Sequence, residues 1–217
     1  MPRARTFALL VLCLASCSSP YPDRGGEGGT AGDEPALRAD ELFVPSADSP
    51  GLFTFETSDP DFISERGFTI WALRAPRQDP FVARTVVLNK RSGDPAAGYG
   101  LVFCRHRSEG LSDEAMLVAM IDTEQEFLIG EALGSDFKTI LPWTYSPRLK
   151  LGYNQANTLG LSLDGRSFAL SLNGVVVARF EAIESDYSCG GENGYIAVIS
   201  PKDRFPDQSV RIDFQER

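Results

Sequence analysis

Apolar residues alternate with small or polar residues through positions 157–181, and two turn dipeptides interrupt the alternation. Three apolar groups carry the pattern: Leu159, Leu161 and Leu163; Phe168, Leu170 and Leu172; Val175, Val177 and Phe180. Asp164-Gly165 separates the first two groups, and Asn173-Gly174 separates the second from the third. Because Asp-Gly and Asn-Gly accept the positive φ of tight hairpin turns, the segment is predicted to form a three-stranded antiparallel meander.

Short runs rich in aromatic and β-branched residues recur on both sides of this segment and predict further strands. They cover positions 52–56, 67–74, 81–89, 99–105, 126–130, 137–141, 148–151, 194–200 and 210–214, and 41–44 is a candidate edge strand. Positions 115–121 (AMLVAMI) follow Ser-Asp-Glu, which resembles a helix start, but the neighbouring strands favour a strand here too. Many short strands without a long amphipathic helix predict an all-β, two-sheet antiparallel sandwich over residues 41–217.

The composition of the chain limits its partners. With 217 residues and 42% hydrophobic content, the chain is long enough for one sandwich core plus some unstructured sequence. A formal charge of −9 and a pI near 4.7 disfavour binding to nucleic acid, which depends on Lys and Arg. The short positive clusters Lys90-Arg91 and Arg105-His106-Arg107 are predicted to be solvated strand ends. We therefore expect no nucleic-acid partner.

The N-terminus has the layout of an export signal. Arg3 and Arg5 precede an apolar run at 7–14, and Leu-Ala-Ser-Cys follows it, ending at Cys17. The run is too short for a permanent transmembrane helix, which needs about 20 residues, so residues 1–16 are predicted to be a signal peptide. The tetrapeptide resembles the lipobox of bacterial lipoproteins, which implies cleavage before Cys17 and its modification with diacylglycerol and a fatty acid such as palmitate. Ordinary secretion with Cys17 as a free thiol is the alternative.

Lipidation of Cys17 would hold the protein on a membrane without a transmembrane helix. Ser18, rather than Asp, follows Cys17. If lipoproteins are sorted here as in enteric bacteria, the resemblance to a lipobox implies the outer membrane more than the inner membrane. Residues 17–40 are rich in Gly, Pro and acidic residues, show no apolar periodicity, and are predicted to be a flexible tether. The expected location is the cell envelope.

A series of motifs runs along the predicted domain in a recognisable order. They are GYGLVF at 98–103, EFLIG at 126–130, LPWTYSPRLKLGYN at 141–154, the meander, GYIAVI at 194–199 and VRIDF at 210–214. This order resembles the concanavalin A-like lectin and glucanase superfamily, in particular its laminin G-like and DUF1080-like bacterial domains. The resemblance covers about residues 52–214 and implies a jelly-roll sandwich. Because its most specific positions determine the fold, it implies architecture more than activity.

Candidate catalytic carboxylates are few. Glycoside hydrolases of this superfamily carry an E-x-D-x-x-E motif on one strand, and retaining hydrolysis needs two carboxyl groups about 5 Å apart. Asp122, Glu124 and Glu126 come nearest, but their spacing does not match the motif, and a solvated acidic strand edge or turn is predicted. His106 is the single histidine, and no G-x-S-x-G elbow accompanies it. We assign no catalytic residue; whether the protein is an enzyme stays open, with a non-enzyme favoured.

The sequence assigns no metal ligand. Cys104 and Cys189, the cysteines of the predicted domain, are too few for a four-thiolate zinc site. Export to an oxidising compartment favours a disulfide between them, closing a loop of about 85 residues, and two separate thiols are the alternative. Some lectin-like relatives bind calcium through loop Asp and Asn residues. No local run supports such a set here, so we expect no cofactor and leave calcium binding open.

Aromatic residues supply the candidate ligand-binding site, because sugar-binding sandwiches stack aromatic rings against pyranose faces. Trp143 and Tyr145 lie in a Pro-bracketed segment (LPWTYSP), from which one or both would project in a loop, and Tyr153 and Asn154 follow. These four residues are the candidate set. Packing of Trp143 at the end of the core is the alternative, and Trp71, inside a predicted strand, is expected in the core.

Together these predictions indicate a membrane-anchored envelope lipoprotein that presents a non-catalytic binding module, with carbohydrate or another glycan as the ligand expected from the resemblance. An enzyme acting on glycosidic bonds and a protein-interaction or structural envelope module are the alternatives. The expected partners are the membrane, through the lipid on Cys17, and a glycan or an envelope protein.

Overall fold

Period-two alternation of apolar residues produces strands throughout the described part of the chain. The computed structural model describes residues 42–57, 68–75, 83–107, 114–133, 136–181, 193–200 and 209–217. The strands are β1 (Phe43–Pro45), β2 (Leu52–Thr57), β3 (Phe68–Ala75), β4 (Ala83–Ser92), β5 (Tyr99–Arg107), β6 (Glu114–Ile121), β7 (Glu126–Leu133), β8 (Asp136–Tyr145), β9 (Asn157–Asp164), β10 (Ser167–Leu172), β11 (Val175–Phe180), β12 (Asn193–Ile199) and β13 (Val210–Glu216). No helix within these ranges is long and apolar enough to span a membrane.

Several predictions concern residues outside these ranges and are left as predictions. The signal peptide at 1–16, Cys17 and the tether all precede the first described residue, and Cys189 falls between β11 and β12. Trp71 and His106 lie on β3 and β5, but their side chains are outside the described part of the protein.

The strands pair antiparallel into two sheets. The seven-stranded sheet has the order β1-β2-β13-β4-β9-β10-β11, and the six-stranded sheet has the order β3-β12-β5-β6-β7-β8. This arrangement confirms the predicted all-β, two-sheet antiparallel sandwich. A strand also forms at β6, where the sequence alone is ambiguous, and at β1, which overlaps the candidate edge region 41–44.

Positions 148–151 comprise the end of a turn at 147–148 and the irregular backbone that follows it, so the strand predicted there is wrong. The amide of Leu149 donates to the carbonyl of Ser146 at 3.1 Å. The amide of Lys150 donates to the side-chain Oδ1 atom of Asn157 at 2.8 Å, rather than to a main-chain carbonyl of a neighbouring strand. Leu149 is buried whereas Leu151 is 66% exposed, so the alternating leucines do not line a buried strand face.

The two turns of the meander differ in their central residues. Asn173 and Gly174 both have positive φ, 49° and 82°, as a type I′ turn requires. In the other turn, β9 ends at Asp164 and β10 begins at Ser167, so Gly165, with a φ of 63°, is the first central residue. Glycine takes this position in a type II′ turn. The predicted hairpin is therefore confirmed, with its turn moved by one residue.

Aromatic side chains join the two sheets across the core. Tyr195 of β12 stacks on Phe214 of β13 with ring centroids 4.6 Å apart. Phe103 of β5 meets Phe168 of β10 edge-on, with centroids 5.6 Å apart. All four rings are buried. Because each pair combines one strand from each sheet, these contacts hold the sheets face to face.

The outer face of the six-stranded sheet is apolar as well. Its buried side chains are Val102, Met116, Val118, Met120, Leu128, Ala132 and Ile196. Phe137, Trp143 and Val198 are partly buried against them. We call this set the outer apolar face. β6 therefore buries both of its faces, which explains why AMLVAMI shows no clean alternation of apolar and polar residues.

Candidate functional site

The four candidate ligand-binding residues lie at one end of the sandwich. Trp143 and Tyr145 are near the end of β8, and Tyr153 and Asn154 belong to the connection between β8 and β9. The prediction that Trp143 and Tyr145 project from a loop is corrected, because both belong to the strand.

Three connections meet at this end: 93–98, 122–125 and 146–156. We call them the loop end. The amides of Ser146 and Gly152 donate to the carbonyls of Gln125 and Thr123, each at 2.8 Å, and so join the third connection to the second. The amide and hydroxyl of Thr123 both donate to the carbonyl of Pro95, at 3.0 and 2.9 Å, and join the second to the first. The loop end is therefore one hydrogen-bonded unit.

Trp143 and Tyr145 have different surroundings. Trp143 packs against the outer apolar face, beside Gly98: a Cβ atom added to Gly98 would lie 3.0 Å from both Met120 Sδ and Trp143 Cη2. This contact favours a packing role for Trp143, although on the outer face rather than at the end of the core. Tyr145 pairs with Glu126 of β7 and is 61% exposed, so its ring is accessible to a ligand.

Tyr153 and Asn154 combine exposure with contacts that hold the loop end. The hydroxyl of Tyr153 donates to the carbonyl of Gly93, while the side chain is 36% exposed. Burial raises the pKa of Tyr153 above its ordinary value. Asn154 has a φ of 58°, and its Oδ1 atom accepts a hydrogen bond from Arg91 at 3.2 Å. Both residues therefore help to position the connection 146–156, and both also face solvent.

Leu151 is a third large exposed apolar side chain at this end. Sequence reasoning missed it, because its run resembles a strand. Ring and aliphatic faces of this kind can pack against the apolar faces of a sugar ring. The exposed side chains of Glu124 and Asn154, in the connections 122–125 and 146–156 of the same loop end, offer hydrogen-bonding groups.

The acidic run forms a turn rather than an extended strand, so its three carboxylates do not line one face. Asp122 is buried, and its Oδ1 atom accepts hydrogen bonds from the amides of Glu124 and Glu126 at 2.9 and 2.8 Å. The turn confirms part of the prediction, but the expectation that the acids are solvated is wrong for Asp122. Burial raises the pKa of Asp122 to about 6, although its amide hydrogen bonds act in the opposite direction.

Lys90 is the largest departure from the sequence prediction, because it is 1% exposed instead of solvated. Its Nζ atom donates to the carbonyls of Asp94 and Ala97 at 2.5 and 2.7 Å and lies 5.4 Å from the ring centroid of Tyr99. Burial lowers the pKa of Lys90 to about 8, and the charges of Asp94 and Asp122 act in the opposite direction. Burial also raises the pKa of Tyr99.

Two further site predictions concern cysteines and metals. Cys104 is buried and disulfide-bonded. Since Cys189 is outside the described residues, a Cys104–Cys189 bond stays a prediction. Among the side chains that the structure describes, no group of three or more His, Cys, Asp or Glu residues is arranged to hold a metal ion.

No protein-family model and no curated protein matches the chain. Solved structures do resemble its fold. A Bacteroides ovatus mixed-linkage glucan GH16 in complex with product aligns with 75% of this chain and 78% of its own, at 8% identity and a TM-score of 0.51. Carbohydrate binding module CBM66 from Bacillus subtilis covers 68% of this chain and 78% of its own, at 11% identity and a TM-score of 0.48. A family 7 alginate lyase covers 80% of both chains, at 9% identity and a TM-score of 0.48.

At these identities the likeness concerns the fold. The two antiparallel sheets and their structural neighbours define the protein as a concanavalin-like jelly-roll sandwich, as the sequence predicts.

Proposed function

We propose that this protein is a bacterial envelope lipoprotein whose sandwich is a non-catalytic module that binds glycans at the loop end. The observation that carries the proposal is the exposure of Tyr145, 61%, at the end of β8, where the hydrogen-bonded connection 146–156 also carries the exposed side chains of Leu151 and Tyr153. Aromatic rings held in place lose little conformational freedom when a ligand binds, so they are efficient binding groups. The fold it shares with a product-bound GH16 structure supports a carbohydrate ligand.

The non-catalytic character of the site rests on its carboxylates. Hydrolysis of a glycosidic bond needs two carboxyl groups that reach the same bond. Asp122, whose pKa is raised to about 6, is 1% exposed and its Oδ1 atom is occupied by two amides. Among the described carboxylates of the loop end, Glu124 is exposed and Glu126 is half-buried, and both come from the same turn. An enzyme acting on glycosidic bonds is therefore the second candidate, and product release is its test.

The lipid anchor rests on the N-terminal sequence. Leu-Ala-Ser-Cys follows a short apolar run and ends at Cys17, the arrangement of a lipobox. Replacement of Cys17 by Ser should abolish lipidation, so the variant should leave the detergent phase in phase partitioning. Partitioning equal to that of the wild type would refute the anchor. The identity of the membrane, for which Ser18 favours the outer one, is tested by fractionation of the same cells.

The glycan proposal is tested with full-length protein in detergent micelles on a broad glycan array, with soluble products monitored in parallel. Tyr145→Ala should weaken binding roughly 2- to 12-fold, because ring contacts contribute about 0.5–1.5 kcal/mol. Thr144→Ala, at the neighbouring exposed position of β8, is the control and should bind like the wild type. Sugar release that Glu124→Gln abolishes would favour the enzyme. Absence of both binding and product would favour a protein partner, which cross-linking in cells would identify.

A further inference from the structure

The ammonium of Lys90 has the surroundings of a bound cation. Two main-chain carbonyls accept its hydrogen bonds, and the aromatic face of Tyr99 lies next to it. The carboxylates of Asp94 and Asp122 are close enough for their charges to act on it. Main-chain carbonyls and carboxylates are also the oxygen ligands that hard metal ions such as Ca²⁺ take in proteins.

The Lys90 ammonium lies within the loop end. Its two carbonyl partners, at Asp94 and Ala97, fold the connection 93–98 around it. The carbonyl of Lys90 itself accepts the amide of Asn154 at 2.9 Å, and so fixes the connection 146–156. Asp94 is held in turn, because its Oδ1 atom accepts the amide of Ala96 at 3.0 Å and its Oδ2 atom accepts the hydroxyl of Ser200.

We propose that the Lys90 ammonium is the resident cation of an oxygen-lined site, which organises the loop end as a bound metal ion would. A buried ammonium is costly unless oxygens and negative charges surround it, and the described contacts of Lys90 supply both. The chain therefore carries its cation covalently, and the loop end forms without calcium. If the loop end binds glycans as proposed above, that binding is independent of calcium.

The proposal predicts that removal of the side chain leaves a vacant cation site. Lys90→Ala should empty the space and expose the carbonyls and carboxylates to a mobile ion. Lys90→Met keeps nearly the same length but fills the space with an apolar chain. Both variants should lose thermal stability, by about 5–10 °C in Tm for a chain of this size. Lys150→Ala, at an exposed lysine of the same loop end, is the matched control and should melt like the wild type.

Thermal unfolding of full-length protein in detergent provides the measurement, with 1 mM EDTA, 10 mM CaCl₂, 50 mM propylammonium chloride, or NaCl at equal ionic strength. We expect calcium or propylammonium to restore at least half of the lost Tm in Lys90→Ala and none of it in Lys90→Met. The wild type should melt at the same temperature in EDTA and in calcium.

Three results would overturn the proposal. The first is a wild-type Tm that rises with calcium or falls with EDTA, which is decisive even if the variants do not fold. The second is a Lys90→Met variant as stable as the wild type. The third is a folded Lys90→Ala variant that neither cation restores. None of these measurements uses a glycan, so the result is independent of the proposed binding function.

Discussion

The side-chain amide of Asn173 donates a hydrogen bond to Oδ1 of the buried Asn157, at 2.9 Å. The same Nδ2 atom donates to the carbonyl of Arg148 at 2.6 Å, and the Oδ1 atom of Asn173 accepts the amide of Thr158 at 2.8 Å. Asn157 also accepts the amide of Lys150 at 2.8 Å. One turn residue therefore supplies a positive φ and fastens the connection 146–156 to the meander.

Asn173→Gly should separate these two roles. Glycine accepts the positive φ of the turn but removes the three side-chain hydrogen bonds. At about 1 kcal/mol for each bond, the free energy of unfolding should fall by roughly 2–3 kcal/mol, measured by urea denaturation. Asn154→Gly is the matched control, since Asn154 also has positive φ but makes an exposed hydrogen bond with Arg91. Equal losses in both variants would contradict the role assigned to the Asn173 amide.

Substitutions at Gly130 and Phe137 should have strongly non-additive effects on the free energy of unfolding. A Cβ atom at Gly130 would lie 2.0 Å from Cζ of Phe137, so Gly130→Ala must displace the ring from the outer apolar face. Overpacking of this kind costs about 1–3 kcal/mol of unfolding free energy. In a Phe137→Ala background the space is open, and the added methyl group should cost nothing. A double-mutant cycle in urea measures the difference, and additive effects would show that the ring does not cover Gly130.

Asp122 should make the protein more stable as the pH falls from about 6 towards 4. Burial raises its pKa from the ordinary 3.8 of an aspartate to about 6, so the native state binds a proton more tightly than the unfolded chain. Above pH 6 the buried carboxylate is ionised in the native state, and this lowers the free energy of unfolding by up to about 3 kcal/mol. Asp122→Asn keeps the Oδ1 acceptor without the charge. Because burial is the largest influence on the Asp122 carboxylate and outweighs its attraction to the Lys90 ammonium, the variant should exceed the wild type in stability at pH 7 and match it near pH 4.

Glu124→Gln is the control for this experiment, because Glu124 is an exposed acid of the same turn. Urea unfolding of the three proteins at pH 4, 5, 6 and 7 gives the comparison. A constant difference between Asp122→Asn and the wild type across this range would be inconsistent with a raised pKa.

The disulfide of Cys104 gives the fourth prediction. If Cys189 is its partner, Cys189→Ser should expose one free thiol to a thiol reagent in the denatured protein. It should also lower the free energy of unfolding by up to about 4–5 kcal/mol, because the closed loop would span about 85 residues. Mass spectrometry of a non-reduced digest identifies the bond directly. A peptide that joins Cys104 to a different cysteine would refute the pairing.

Local patterns in the sequence were enough to predict the two-sheet architecture. The meander depends on alternation and on residues that tolerate positive φ at a turn, and both are local properties that short segments carry alone. The local pattern could not distinguish strand from helix where a strand is covered on both faces. In β6 both faces are apolar, so apolar and polar residues do not alternate. The local pattern misled at 148–151, where two leucines alternate but only Leu149 is buried.

The surroundings of single side chains depend on contacts between segments that are distant in the sequence. Lys90 looks like a solvated strand end in the sequence, yet its ammonium is enclosed by carbonyls at Asp94 and Ala97. Trp143 and Tyr145 look equivalent in the sequence, but only Trp143 packs beside Gly98, a residue of a distant connection. Burial and charge depend on which segments the two sheets bring together, and a pattern of neighbours along the chain does not contain that information.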